Sequence, residues 1–100
     1  MQTSVLIVED EESIRESLKL NLELEGYDVS TVADGLMALQ KIKSAYFDLI
    51  ILDIMLPEMD GIEACQKIRT YPEMSETIIT FLTARGEDYS QMAGFEAGAD

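Results

Sequence analysis

The sequence predicts an α/β fold, a doubly wound parallel sheet with helices on both faces. Short apolar runs alternate with stretches of helical periodicity, in the order β-α-β-α-β-α-β-α. Two of these runs, residues 5–8 (Val-Leu-Ile-Val) and 49–52 (Leu-Ile-Ile-Leu), are continuously apolar and rich in β-branching. Central strands covered on both faces read that way. Successive parallel strands joined through a helix cross over right-handed, which distributes the helices to both sides of the sheet.

Each element carries its own signal. Residues 12–25 place Ile14, Leu18 and Leu22 at spacings of four and stop at Gly26, a natural helix end. Residues 27–32 mix Asp28, Ser30 and Thr31 among apolar positions, which suits an edge strand. Asp34 caps a helix running to about Lys43, with Ala38, Leu39 and Ile42 inward. Asp60-Gly61 opens a third helix through Ile62, Cys65 and Ile68. Residues 78–82 form the fourth strand, and Asp88 caps a fourth helix with Met92 and Phe95 inward and Gly98 at its end. No repeat, linker or low-complexity stretch interrupts the pattern.

One hundred residues make a single domain. Seven basic against twenty acidic residues give a formal net charge of −13, which repels nucleic-acid phosphate and argues against direct contact with DNA or RNA. Most of this acidity reads as solvated surface. The chain has one cysteine and no histidine, so an internal disulfide, thiolate–imidazole zinc sites and Ser-His or Cys-His catalysis are excluded. Cys65 falls in a helical pattern near Ile62 and Ile68 and reads as a buried structural thiol. The N-terminus shows no basic leader or cleavage site, and no apolar run approaches a membrane span. A cytoplasmic location without membrane contact is expected.

In such sheets ligands bind beyond the carboxyl ends of the strands, at the topological switch point. The first strand ends at Glu9-Asp10, the third at Asp53 and the fourth at Thr83. Three carboxylates from two strands therefore converge on one edge, where they repel one another when ionised. A hard divalent cation resolves that conflict, and Mg²⁺ accepts a few carboxylates while keeping several waters. Helix capping and solvation account for Glu11 and Glu12 without a metal. They fit Asp53 badly, because it directly ends an apolar run at a largely buried strand terminus.

The runs 6–11 (Leu-Ile-Val-Glu-Asp-Glu), 52–61 (Leu-Asp-Ile-Met-Leu-Pro-Glu-Met-Asp-Gly) and 81–85 (Phe-Leu-Thr-Ala-Arg) resemble the receiver signature of bacterial two-component response regulators. Their separations match that family as well: 43 residues from Asp10 to Asp53, and 30 from Asp53 to Thr83. Residues 94–100 resemble the family's approach to its fifth strand. The resemblance implies a flavodoxin-like sheet of order 2-1-3-4, with the family's fifth strand absent from this chain. It implies that Asp53 is the phosphoacceptor, taking a phosphoryl group from a phosphohistidine on a sensor histidine kinase. Asp10, Asp53 and the Met55 carbonyl become direct Mg²⁺ ligands, and Glu9, where Asp is more usual, acts through water. The Thr83 hydroxyl and the Ala84 amide contact the phosphoryl group. A regulatory domain is implied rather than an enzyme, one that catalyses only its own phosphotransfer and dephosphorylation. Residues 82–86 and Met55 resemble the OmpR/PhoB winged-helix class, which implies a DNA-binding output domain in a longer parent.

The resemblance also implies a fifth strand ending in Lys and a fifth helix, and the sequence stops at Asp100 before either. Leu20 and Leu24 widen the apolar stripe of residues 12–25 beyond what a sheet contact requires. Each large apolar side chain buried by the missing elements would stabilise by about 1.5–3 kcal/mol, against roughly 5–15 kcal/mol for a whole domain. The chain is therefore expected to be a C-terminally incomplete receiver, residues 1–100, that either belongs to a longer protein or self-associates.

Other functions of this architecture fit less well. An FMN binder wants a Ser/Thr/Gly-rich loop after the first strand, and Glu9-Asp10-Glu11-Glu12 is the opposite. A haloacid-dehalogenase-type phosphatase wants Asp-x-Asp on that strand, which Glu9-Asp10 does not supply. The rival that survives is a pseudo-receiver, a docking module of the same fold that acts without phosphate.

Overall fold

The computed structural model describes residues 2–82. Within them the chain forms β1 (Ser4–Val8), α1 (Glu12–Leu24), β2 (Asp28–Val32), α2 (Gly35–Ile42), β3 (Leu49–Asp53), α3 (Gly61–Ile68), a 3-10 turn (Pro72–Met74) and β4 (Ile78–Leu82). The expected fourth helix, with Asp88, Met92, Phe95 and Gly98, lies outside the described residues.

The four strands make one sheet of order β2-β1-β3-β4 with every pairing parallel. This is the doubly wound, flavodoxin-like arrangement, and its switch point lies between β1 and β3. Strand alternation sorts the side chains onto two faces. Leu6, Val8, Ile50, Leu52 and Ile79 join Ala38 and Ile42 of α2 and Ala64, Cys65 and Ile68 of α3 in the larger core. Val5, Ile7 and Val29 face the other way, where Leu18 and Leu22 of α1 pack against them. Polar β2 is an edge strand, and Cys65 is buried in the larger core, as its helical pattern predicts.

Helix ends follow the local chemistry. The Asp34 side chain accepts from the Met37 amide at 2.8 Å, and Asp60 accepts from Glu63 at 2.8 Å, so each caps its helix. At the end of α1 the Gly26 amide donates to the Glu23 carbonyl and the Tyr27 amide to the Leu22 carbonyl. This paired closure needs a left-handed residue, and Gly26 supplies it at φ 96°.

Two features depart from the expected pattern. Ile14 is 39 % exposed although it shares a spacing of four with Leu18 and Leu22. At 3.6 residues per turn, positions eight apart drift by about 80°. With Leu18 and Leu22 inward, Ile14 turns toward the rim. Leu20 and Leu24, the surplus leucines of the stripe, are 59 % and 75 % exposed. The 3-10 turn is the second difference. Three residues are too few to show a period, yet Met74 is buried in the main core and the turn is tied down by Arg69, whose Nη1 donates to the carbonyls of Met74 and Thr77.

Candidate metal centre

Pairing β1 with β3 determines which acids meet. The register runs Ile7↔Ile51 and Val8↔Leu52. Two residues past Ile7 and Ile51, Glu9 and Asp53 fall side by side on the same face. The Glu9 amide donates to the Val32 carbonyl at 3.2 Å, so Glu9 extends the line of β1 beyond its ladder. Asp10 follows in the loop. One oxygen from each of Glu9, Asp10 and Asp53 lies within 4.8 Å of the other two. The three carboxylates expected to converge do converge, across the switch point.

Their burial differs from the expected order. Asp53 is half-buried and Asp10 exposed, whereas Glu9 is only 2 % exposed. Glu9 is the longer acid on the inner strand, and its Oε2 folds back to accept from the Glu11 amide at 3.0 Å. Burial pushes the Glu9 carboxyl up from 4.5 to about 7. The Glu11 amide opposes that rise, while hydrogen bonding with Asp10 and the charge of Asp53 add to it. Glu11 occupies the N-cap position of α1 but makes no capping bond with its side chain, which accepts from Ser13 instead.

The loop after β3 holds Asp53 in place. The Met55 amide donates to Asp53 Oδ1 at 3.1 Å, while the Met55 side chain is 62 % exposed. Leu56 and Met59 anchor the loop in the main core. Between them Glu58 adopts a left-handed φ of 66°, and the Met59 amide closes onto the Pro57 carbonyl at 2.7 Å. Gly61 then brings α3 directly against the Asp53–Ile54 backbone, and its amide donates to the Ile54 carbonyl at 2.9 Å. Sequence reasoning treated Gly61 only as a helix opener. Its position just after the Pro57 turn was the available signal for a close backbone approach.

The donor set fits a hard divalent cation. It is all oxygen, formally trianionic when ionised, and contributed by two strands and one loop. The carboxylate at its inner side is costly to ionise without compensation, and the exposed position of Asp10 leaves an aqueous side for retained waters.

The sequence profile of the response regulator receiver domain matches residues 5–100. The chain belongs to that family. This receiver is 47 % identical, over all of its 100 residues, to the alkaline phosphatase synthesis transcriptional regulatory protein PhoP of Bacillus subtilis, and it covers 41 % of that protein. The receiver thus spans about two fifths of such a curated relative. Among solved structures, the chemotaxis response regulator CheY4 of Vibrio cholerae superposes with a TM-score of 0.94 at 36 % identity, covering 99 % of this chain and 82 % of that one. The receiver domain of the sensor histidine kinase PA1611 from Pseudomonas aeruginosa, solved with magnesium coordinated in its active-site cleft, gives 0.90 at 29 % identity, covering 100 % and 82 %.

The acids read from the sequence of this receiver, Glu9, Asp10 and Asp53, are thus brought together, with Met55 bonded to one of them. Thr83 and Ala84 lie outside the described residues. No helix among the described residues is long and apolar enough to cross a membrane.

Proposed function

We propose that Asp53 is the phosphoacceptor of this receiver, taking a phosphoryl group from a phosphohistidine on a sensor histidine kinase. The observation that carries this reading is the position of Asp53. It closes β3 at the switch point, with Glu9 and Asp10 within reach of the same small ion. Glu9, Asp10, Asp53 and the Met55 carbonyl are the groups that would hold Mg²⁺, and the magnesium-bound receiver of PA1611 supports that assignment. Bound there, Mg²⁺ supplies positive charge against the phosphoryl oxygens.

The residues of this chain do the rest. The Met55 amide holds Asp53 Oδ1, so Oδ2 is the nucleophile. It forms the new P–O bond as the P–N bond to the kinase histidine breaks, and the histidine nitrogen leaves with the electron pair. The Thr83 hydroxyl and the Ala84 amide then contact the phosphoryl group, and the change is read by an output domain. The name of the PhoP relative supports a transcriptional output. A regulatory domain in the cytoplasm, catalysing only its own phosphotransfer and dephosphorylation, is the role this reading assigns.

The test is incubation of the receiver, within its full gene product, with acetyl phosphate and Mg²⁺. One phosphoryl group labile to hydroxylamine is expected, and none in Asp53→Asn. Thr83→Ala retains the label and weakens the conformational response. Magnesium at 100 times its dissociation constant should add about 2.7 kcal/mol of stability. A folded protein that neither binds Mg²⁺ nor takes the label would instead be a pseudo-receiver.

A further inference from the structure

Arg15, near the start of α1, turns its side chain back onto the acidic loop. Its Nη1 donates to the carbonyl oxygen of Glu9 at 2.9 Å and to that of Asp10 at 3.4 Å. The peptide linking Asp10 to Glu11 is therefore held at both ends. Its carbonyl accepts from the Arg15 guanidinium, and its amide donates to Glu9 Oε2 at 3.0 Å. In a trans peptide these two groups point in opposite directions. Drawing the carbonyl toward Arg15 aims the amide at the Glu9 carboxylate.

We propose that Arg15 is a positioning residue for the metal centre. It orients the backbone that presents Glu9 and Asp10, and it does not touch the ion. The inference rests on the reading of Glu9, Asp10 and Asp53 as a cation site. It also explains how a run of four consecutive acids, Glu9 to Glu12, keeps one arrangement between β1 and α1 despite mutual repulsion. A half-buried guanidinium beside two backbone carbonyls, rather than a carboxylate, anchors the loop without cancelling a ligand's charge.

Charge and orientation predict opposite signs, which makes the idea decidable. A guanidinium near three carboxylates repels a divalent cation, so on charge alone its removal tightens Mg²⁺ binding. On orientation its removal frees the Asp10–Glu11 peptide and weakens binding, by about 10-fold, the lower end of the range for residues that support metal ligands.

The experiment compares wild type, Arg15→Met and Arg15→Lys in the full chain. Magnesium chloride is titrated by calorimetry, and hydrogen exchange of the Glu11 amide is followed without metal. In Arg15→Met we expect about 10-fold weaker Mg²⁺ binding and faster exchange at Glu11, with the Ile50 amide unchanged. Arg15→Lys, which keeps the charge and a donor, recovers part of the loss. Should Arg15→Met fail to fold, Arg15→Gln is neutral, too short to reach the carbonyls, and carries the same expectation. Equal or tighter binding in the neutral variant, or unaltered Glu11 exchange, overturns the proposal. A wild-type protein that does not respond to Mg²⁺ overturns the metal reading beneath it.

Discussion

Gly61 and Asp53 are in contact through their backbones: a Cβ on Gly61 would collide with the Asp53 carbonyl oxygen and lie 2.9 Å from the Asp53 carbonyl carbon. Neither neighbour is a flexible side-chain tip that could swing aside. Gly61→Ala must therefore push α3 away from β3 or shift the end of β3, and either displaces the proposed phosphoacceptor. We expect a loss of about 1–3 kcal/mol, the usual cost of overpacking. Mg²⁺ affinity should fall as well. Urea melts with and without magnesium chloride check both effects. A variant with wild-type stability and metal response would show that the close approach has no consequence for the site.

Asp53→Asn should have opposite effects with and without metal. In the metal-free protein it removes a negative charge that faces Glu9 and Asp10, so stability at neutral pH should rise by about 0.5–1 kcal/mol, the scale of partly solvated ion contacts. With magnesium present the order should reverse, because the variant lacks one anionic ligand. The neutral amide also keeps an oxygen that can accept from Met55, so the loop itself should persist. Melting curves at zero and millimolar magnesium suffice. If the variant is less stable than wild type without metal, repulsion in the cluster is not a significant term.

Glu58 holds a left-handed backbone in the loop that follows Asp53. That conformation is costly for a residue with a side chain and free for glycine. Glu58→Gly relieves the strain but adds freedom to the unfolded chain, which offsets part of the gain. A net stabilisation of about 0.5–1 kcal/mol is expected, with the Asp53–Met55 hydrogen bond unchanged. Glu58→Val, β-branched and unsuited to positive φ, should be the worse-tolerated partner of the pair. Equal melting points for the two variants would mean that the turn is not strained.

How much was legible in the sequence follows from how far each signal reaches. Strand and helix identities were visible because period and burial are local: residues 5–8 and 49–52 are apolar throughout, and Asp34 and Asp60 announce their helices. The convergence of Glu9, Asp10 and Asp53 followed from strand ends plus the rule for parallel sheets. The relative burial of those acids was not visible. It depends on the Glu9 amide bonding to Val32 and the Glu9 carboxylate folding onto Glu11, contacts that no spacing encodes. The Arg15 clamp was hidden for the same reason: it is a long side-chain approach across a turn, and an arginine is not unusual there. The Gly61 contact left a trace, a glycine just after the Pro57 turn, although nothing local names Asp53 as its partner. The rim position of Ile14 was legible in principle, from helical drift, once Leu18 and Leu22 were taken as the inward pair.

The raised Glu9 carboxyl makes a prediction about pH whose sign is fixed by linkage. In the unfolded chain Glu9 titrates near 4.5, and in the metal-free fold near 7. Between those values the folded state holds more protons than the unfolded state, so stability falls as pH rises. The favourable contribution is fully present below about 4.5 and is lost by the time pH has passed about 7. Other carboxylates of this acidic chain add their own dependence, so the informative quantity is the difference between wild type and Glu9→Gln. Gln cannot ionise and still accepts from the Glu11 amide, and its profile should lack the wild-type decline between pH 4.5 and 7. Asp53→Asn should remove only part of that decline, because burial, not the Asp53 charge, is the larger cause. Magnesium competes with the same proton, so its affinity should climb through pH 7 in wild type. Parallel stability profiles for wild type and Glu9→Gln would mean that Glu9 ionises in the fold as it does in water, and the electrostatic account of the cluster would fail.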